Sequence, residues 1–332
     1  MKIALTYNLK KQDKTKPEDY FSEFDSLETI DAISSVLNKK GHSVNLVDAD
    51  RPDLLSYFSK NRADIVFNIA EGTSSRWRES EIPAILDYLD IPYTGSNAFS
   101  LALALNKALT KKILKAEDIP TPSFQVFVKG SERLNPDLKF PLIVKPNREG
   151  SGKGINASNV VYTEDELFEK IREIKELYKQ EVLVEEFIDG KELTVGILEN
   201  GKITVLPILE IDFAKCKASG EYFYSWRMKE FQGSRELGLL PTFHCPARLD
   251  KATEELVKSI AIRSHCSVGC FGVSRTDIRL SKDNIPYVLE INPLPGLNPR
   301  ESNFPLMAYA AGMQYEELIE AILLSASRTG KA

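Results

Sequence analysis

The sequence predicts an α/β protein of three successive units, and three features of the chain predict it. Strand-like and helix-like patterns alternate through the first hundred residues. A glycine loop follows a lysine-bearing strand in the middle. Near the C-terminus two neighbouring strand patterns carry polar groups on one face. The units are expected at residues 1–104, 105–187 and 188–332.

Composition narrows the function. Of 332 residues, 42% are hydrophobic and 27% charged, enough apolar material for real cores. A net charge of −5 with no Lys/Arg-dense block argues against nucleic acid. No run approaches the ~18 apolar residues a membrane span needs. Residues 1–7 read as a short strand and not as a signal peptide, so the cytoplasm is the expected compartment. Four cysteines are too few for a disulfide scaffold. Cys266 and Cys270, with His244, Cys245 and His265, leave zinc or core packing open. Packing is the simpler reading, because no second thiol pair has matching spacing.

In the first unit, Ile3-Ala4-Leu5 is a strand. Leu27, Ile30, Ile33, Val36 and Leu37 recur at helical spacing, and Gly41 stops that helix. Ser43–Val47 and Asp64–Ile69 are further strands, and Ile82, Ile85, Leu86 and Leu89 mark another helix. Ile91–Ser96 is a short extended piece. This rhythm implies a parallel sheet with helices on its faces. Asn8-Leu9-Lys10-Lys11 stands where a dinucleotide-binding glycine fingerprint would be, which argues against NAD.

The second unit opens with a helix from about Leu105 to Glu117. Strands at Phe124–Lys129, Phe140–Pro146 and Val182–Glu185 follow, with a helix through Leu167, Ile171 and Ile174 before the last. In the third, Glu192–Leu198 and Lys202–Leu206 form a hairpin across Glu199-Asn200-Gly201. Residues 212–248 look irregular and aromatic-rich. A helix carries Leu256, Val257, Ile260 and Ala261, two strands follow, and Tyr315–Leu323 closes the chain helically.

Those two strands carry the strongest chemical signal. Period-2 alternation puts Arg275 and Asp277 on one face of the first, and Glu290 and Asn292 on one face of the second. A Pro/Gly-rich turn stops the second strand after Asn292. Asp277, Glu290 and Asn292 are hard oxygen donors on an open platform, which suits Mg²⁺ shared with phosphate oxygens. The loop Asn147–Gly154 carries alternating glycines that let backbone N–H groups approach phosphate, and Lys145 precedes it. It is not a Walker loop. Taken alone, it also reads as a hairpin tip. Glu185–Glu192 reads either as a solvated turn or as a nucleoside contact. In the second reading, backbone groups of Glu186 and Ile188 read adenine and Glu192 accepts from ribose. Lys107, taken alone, reads as a surface lysine.

The runs Ile91–Ser96, Asn106–Lys111, Ile143–Gly154, Val182–Glu192, Ser274–Ile278, Leu289–Gly296 and Pro305–Gly312 resemble an ATP-grasp enzyme of the D-alanine–D-alanine ligase-like branch. The resemblance spans roughly residues 64–325. It implies an ATP-grasp fold, with the N-terminal α/β domain followed by two subdomains that sandwich the nucleotide. It implies that Lys107 and Lys145 hold ATP phosphates and that the loop Glu149, Ser151, Gly152, Lys153 and Gly154 lids them. Glu185, Glu186, Ile188 and Glu192 become adenosine contacts. Asp277, Glu290 and Asn292 become ligands of two Mg²⁺ ions, with Mn²⁺ an admissible replacement. Arg275 and Ser151 become catalytic, and Gly296 and Ser302 grip a substrate carboxylate. The partners implied are a small carboxylate and an amine, with amino acids as the natural class. The resemblance also admits a homodimer.

The substrate side departs from the family. No Gly-Gly…Ser…Glu run follows the first strand. Asn68–Gly72 and Arg76–Glu79 replace the family's His-Gly…Glu-Asp-Gly run, which leaves Glu71 and Arg78 as substrate-side candidates. Lys229, in Arg227-Met228-Lys229, is the nearest match to a Lys-Tyr pair. The arginines Arg76, Arg78, Arg148 and Arg300 suggest an acidic substrate. The expected reaction is carboxylate–amine ligation through an acyl phosphate, and a kinase on the same fold or a non-catalytic nucleotide binder stand as alternatives.

Overall fold

The computed structural model describes residues 1–326, except 12 and 74. Its strands form three sheets. In the first, β1 (Lys2–Tyr7) lies between β2 (Ser43–Asp48) and β3 (Ile65–Asn68), all parallel. The alternation of β1 explains its position. Ile3 and Leu5 face one core and Ala4 the opposite one. Helix α1 (Leu27–Lys39) covers the first face with Ile30, Ile33, Val36 and Leu37. Helices α2 (Leu54–Lys60) and α3 (Glu81–Tyr88) cover the second.

Helices α4 (Ala98–Leu105) and α5 (Lys107–Ala116) lead into the central sheet. It is antiparallel, in the order β4–β7–β5–β6: β4 (Phe124–Phe127), β5 (Leu142–Pro146), β6 (Val160–Val161) and β7 (Val182–Glu186). Helix α6 (Glu164–Tyr178) packs on it through Leu167, Ile171 and Ile174. Thr163 caps that helix by accepting from Glu166 N, and Lys179 ends it in the left-handed conformation.

The third sheet is antiparallel: β8 (Gly190–Glu199), β9 (Ile203–Val205), β10 (Leu209–Asp212), β11 (Thr242–His244), β12 (Val273–Ser281) and β13 (Pro286–Asn292), with β8 beside β12 and β12 beside β13. The short α7 (Trp226–Glu230) lies between β10 and β11, and α8 (Lys251–Ser267) buries Val257, Ile260 and Ala261 against the sheet. Helices α9 (Asn303–Ala310) and α10 (Tyr315–Ala326) return to the first sheet, where Phe304, Met307, Leu318, Ile319 and Ile322 share one core with Ile3 and Leu5. The first and last segments of the chain therefore bury each other.

Three helices, α2, α4 and α9, were not expected from periodicity. Residues 212–248 are also more ordered than expected, holding α7, β11 and a small core of Cys216, Met228 and Leu239. The expectation of core packing fails for Cys266, which lies in the last turn of α8 outside its buried face and is exposed. Cys270 is buried.

Candidate active site

The two C-terminal strands pair as their alternation requires. Arg275 stands opposite Asn292, and Asp277 opposite Glu290. The ladder shifts register just after Asp277, a bulge at the end of the polar face. Arg275 Nε and Nη2 donate to Asp277 at 3.0 and 2.8 Å, and Thr194 Oγ1 of β8 donates to Asp277 Oδ1 at 2.6 Å.

Across a cleft, the glycine loop is fastened to the start of α5. Asn106 caps α5, accepting from Leu109 N at 3.1 Å and from Asn147 Nδ2 at 3.0 Å. Asn147 Oδ1 in turn accepts from Ala108 N at 2.9 Å. This places Lys107 Nζ between the loop, where it donates to the Glu149 carbonyl, and the platform, 3.3 Å from Glu290 Oε2. Lys145 and Lys111 both pair with Glu185, Lys111 at 2.8 Å. The Lys111 ammonium is fully buried and also donates to Thr121 Oγ1 at 2.8 Å, whose hydroxyl bonds the Val288 carbonyl.

The cleft between the central and C-terminal sheets measures about 870 Å³. Lys145, Glu149, Gly152, Glu185, Glu186, Ile188, Glu192, Asp277 and Glu290 all line it. Glu192 accepts from Arg279 Nη1 at 2.8 Å and from Tyr224 N, and the Ile188 carbonyl accepts from Arg279 Nε at 3.0 Å. Arg279 also lies 5.2 Å from the Phe187 ring. Sequence reasoning missed Arg279, although the period-2 series Arg275, Asp277, Arg279 marks it as sharing their face.

A second cavity of about 1580 Å³ brings together Glu71, Ser151, Lys229, Asn292, Gly296 and Ser302. Arg275, Lys229, Tyr224 and Asn303 line both spaces and so mark their junction. Asp25 lines the second cavity as well, and no motif or periodicity marks it in the sequence. A bridge from Leu9 and the bond from Lys10 N to the Asp25 carbonyl fold residues 8–25 back on themselves.

Three candidates face elsewhere. Arg78 is turned away from the substrate cavity into a neighbouring pocket. There Nη2 donates to Glu23 at 2.5 Å and Nη1 to the Arg148 carbonyl at 3.0 Å. Lys153 also faces away from the first cleft, pairing with Glu149 at 2.7 Å and Glu23 at 3.3 Å. Gly154 backs onto Pro146 and Tyr178 while its N–H donates to Asp19. In each case a buried partner outcompetes exposure to the cleft. The expected acidic-substrate signal weakens accordingly. Arg78 and Arg148 are consumed by Glu23 and Glu181, and Arg300 pairs with Glu28 on the surface.

The electrostatics divide the two cavities. Burial disfavours ionisation of Glu290, but Lys107, Lys229, Lys145 and Arg275 outweigh it and hold its carboxyl well below the usual range. Around the second cavity the reverse holds. Burial pushes Asp25 up to about 7. Burial, then Glu79 and Glu23, raise Glu71 well above its ordinary value. Burial lowers Lys229, with Arg275 beside it adding to the effect.

The platform suits a hard divalent cation. It offers two opposed carboxylates and one carboxamide oxygen, with cations around them to share a polyanion's charge. Among the described residues no group of three or more His, Cys, Asp or Glu is arranged to hold a metal. A cation here would therefore rely on Asn292 and on ligand oxygens.

The lid over the junction is closely fitted. Trp226 N donates to the Ile155 carbonyl at 3.3 Å. A Cβ on Gly152 would stand 2.7 Å from Trp226 N, and Gly152 has φ +73°, so only glycine fits there.

Residues 113–324 match the family described as D-ala D-ala ligase C-terminus. The chain is 37% identical over 308 residues to the D-alanine–D-alanine ligase of Carboxydothermus hydrogenoformans, covering 90% of this chain and 92% of that one. It is 35% identical over 303 residues to that of Thermotoga maritima, covering 91% and 92%. The crystal structure of the Bacillus anthracis D-alanine–D-alanine ligase complexed with ATP superposes with a TM-score of 0.77 at 27% identity, covering 100% and 99%. Ligases of this kind work with ATP and a divalent metal. The chain belongs to the D-alanine–D-alanine ligase family of ATP-grasp enzymes and is an ATP-dependent carboxylate–amine ligase.

Proposed function

We propose that this ligase joins the carboxylate of one small amino acid to the amine of another, in a cavity that has departed from the D-alanine pattern of its relatives. The cytoplasm, where ATP is supplied, is the compartment in which we place it. The observation that carries the reading is the Arg275/Asp277–Glu290/Asn292 quartet, which stands where the nucleotide cleft opens into the substrate cavity.

Asp277, Glu290 and Asn292 would hold two Mg²⁺ ions, or Mn²⁺ in their place, which supply charge neutralisation on the phosphates during transfer. Lys107 and Lys145 hold the ATP phosphates, and the loop at Ser151 and Gly152 covers them. Glu185, Glu186, Ile188 and Glu192 frame the adenosine. The first substrate's carboxylate oxygen attacks the γ-phosphorus and ADP leaves. The amine of the second substrate then attacks the acyl carbon, phosphate leaves and the amine loses a proton. Arg275 stabilises the negative charge on the acyl phosphate and the tetrahedral species. Lys229 and α7 keep water from the acyl phosphate. Gly296 and Ser302 receive the second substrate's carboxylate.

Asp25 and Glu71 take the place of the family's missing glutamate. Two carboxylates sharing one cavity repel each other when both ionise, and an ammonium ion removes that penalty. We therefore assign the first substrate's ammonium to this pair.

The test is ADP release measured over pairs of D- and L-amino acids, with mass spectrometry of the products. ADP release that depends on both amino acids and yields their dipeptide is expected. ADP release without any amide in every pair would overturn the reading in favour of a kinase.

A further inference from the structure

A third cavity, of about 930 Å³, lies behind the glycine loop and takes no part in the ligation described above. Its walls include Thr73, Ser75 and Arg76, the glycine loop and the end of α6 at residues 178–180. It shares only Glu149 with the nucleotide cleft, and Glu23 and Phe24 with the substrate cavity.

The polar floor of this cavity is fixed. Glu23 accepts from Arg78, Lys153 and Gly150 N, and Glu149 pairs with Lys153 and accepts from Gln180 Nε2 at 2.7 Å. Those two carboxylates thus balance Arg78 and Lys153. What remains is unequal. Glu181 pairs with Arg148 and also feels Arg76 through space, and the Asp19 carboxylate accepts from Tyr178 and Gly154 N beside the same cavity, which still leaves Arg76, Arg148 and Lys179 facing two carboxylates. Among the described residues Arg76 and Lys179 form no ion pair. Arg148 is 7% exposed, stacks on Trp77 at 5.3 Å, and its Nε–H is buried without an acceptor. A buried, unsatisfied guanidinium N–H is costly unless a ligand accepts from it. The hydroxyl-bearing Thr73 and Ser75 line the same rim.

We propose that this pocket is a phosphate-group site. A phosphate carries about −1.5 to −2 at neutral pH and offers three acceptor oxygens, which suits two cations outside any ion pair and an unsatisfied guanidinium donor. Free inorganic phosphate and a phosphomonoester are the two sources of that chemistry.

The experiment is isothermal titration of the full chain, saturated with a non-hydrolysable ATP analogue and divalent metal so that the catalytic phosphate positions are filled. Inorganic phosphate and glycerol 2-phosphate are titrated separately. One equivalent should bind in the wild type. The surface variant Arg76→Gln/Lys179→Gln should weaken that binding by about tenfold or more without changing the affinity for the analogue. A monoester that binds more tightly than phosphate identifies a phosphorylated metabolite as the ligand; equal or weaker binding identifies the free ion. Absence of binding under these conditions, or binding that the double variant leaves unchanged, overturns the proposal.

Discussion

Arg275 and Asp277 hold each other through two hydrogen bonds, although the proposed reaction gives them opposite tasks. The guanidinium belongs on the acyl phosphate, and the carboxylate belongs on a metal. Each neutralises the other until substrates arrive, so neither charge is stranded in the cleft. Loading the site exchanges one internal pair for two external ones.

The platform assignment predicts the behaviour of Asn292→Ala. Asn292 is half-buried at the end of β13 and its Oδ1 accepts from Leu294 N at 2.9 Å, so losing that one bond should lower the melting temperature by only about 3 °C. Turnover should fall by about two orders of magnitude or more. Near-wild-type kcat would remove Asn292 from the metal site.

The acidic pair predicts a split in Michaelis constants. Asp25→Asn and Glu71→Ala should each raise KM for the first amino acid by roughly 10–100-fold, the value of a charge-assisted hydrogen bond. ATP's KM should barely move. A shift confined to ATP would show that the pair serves the nucleotide side.

Asp25 also predicts a pH dependence. Its carboxyl stays protonated in the folded chain until about pH 7, whereas a free aspartate ionises near pH 4. The folded state therefore holds the extra proton through that window, and this group's contribution to stability falls as pH rises across it. Denaturant titrations between pH 4 and 8 should show a shallower decline in Asp25→Asn. Parallel curves for the two proteins would contradict the burial of this carboxyl.

Arg78→Ala should act on stability and on the lid, and not on amino-acid affinity. It removes a buried partner of Glu23, a loss of roughly 3–5 kcal/mol if Lys153 and Gly150 N do not compensate. Chemical denaturation measures the loss directly. A raised KM for the amino acid alone, at unchanged stability, would return Arg78 to the substrate cavity.

Shortening residues 213–241 should uncouple ATP hydrolysis from amide formation. Tyr224 and Lys229 of this segment stand at the junction of cleft and cavity, and Trp226 N reaches the glycine loop. The ratio of ADP to amide should rise above one. An unchanged ratio would exclude shielding by this segment.

The site was legible where its chemistry follows strand alternation. Arg275, Asp277, Glu290 and Asn292 need only a period of two to share a face, and the register bears this out. Asp25 was illegible because its position depends on the fold of residues 8–25, which carry no periodicity. The inward turn of Arg78 and Lys153 was equally hidden, since their partner Glu23 lies far away in sequence. Among the helices, α4 escaped because Ala98–Leu105 is apolar on nearly every side, so no polar face reveals a period. In α9 a proline at the third position obscured the pattern, although the first turn tolerates it.

The ammonium of Lys111 touches both jaws of the enzyme, meeting Glu185 on β7 and, with Thr121, the Val288 carbonyl on β13. Translating one jaw away from the other would leave that ion dry and unanswered. One buried ammonium is thereby a common fastening for the central and C-terminal sheets, so its loss should loosen both together.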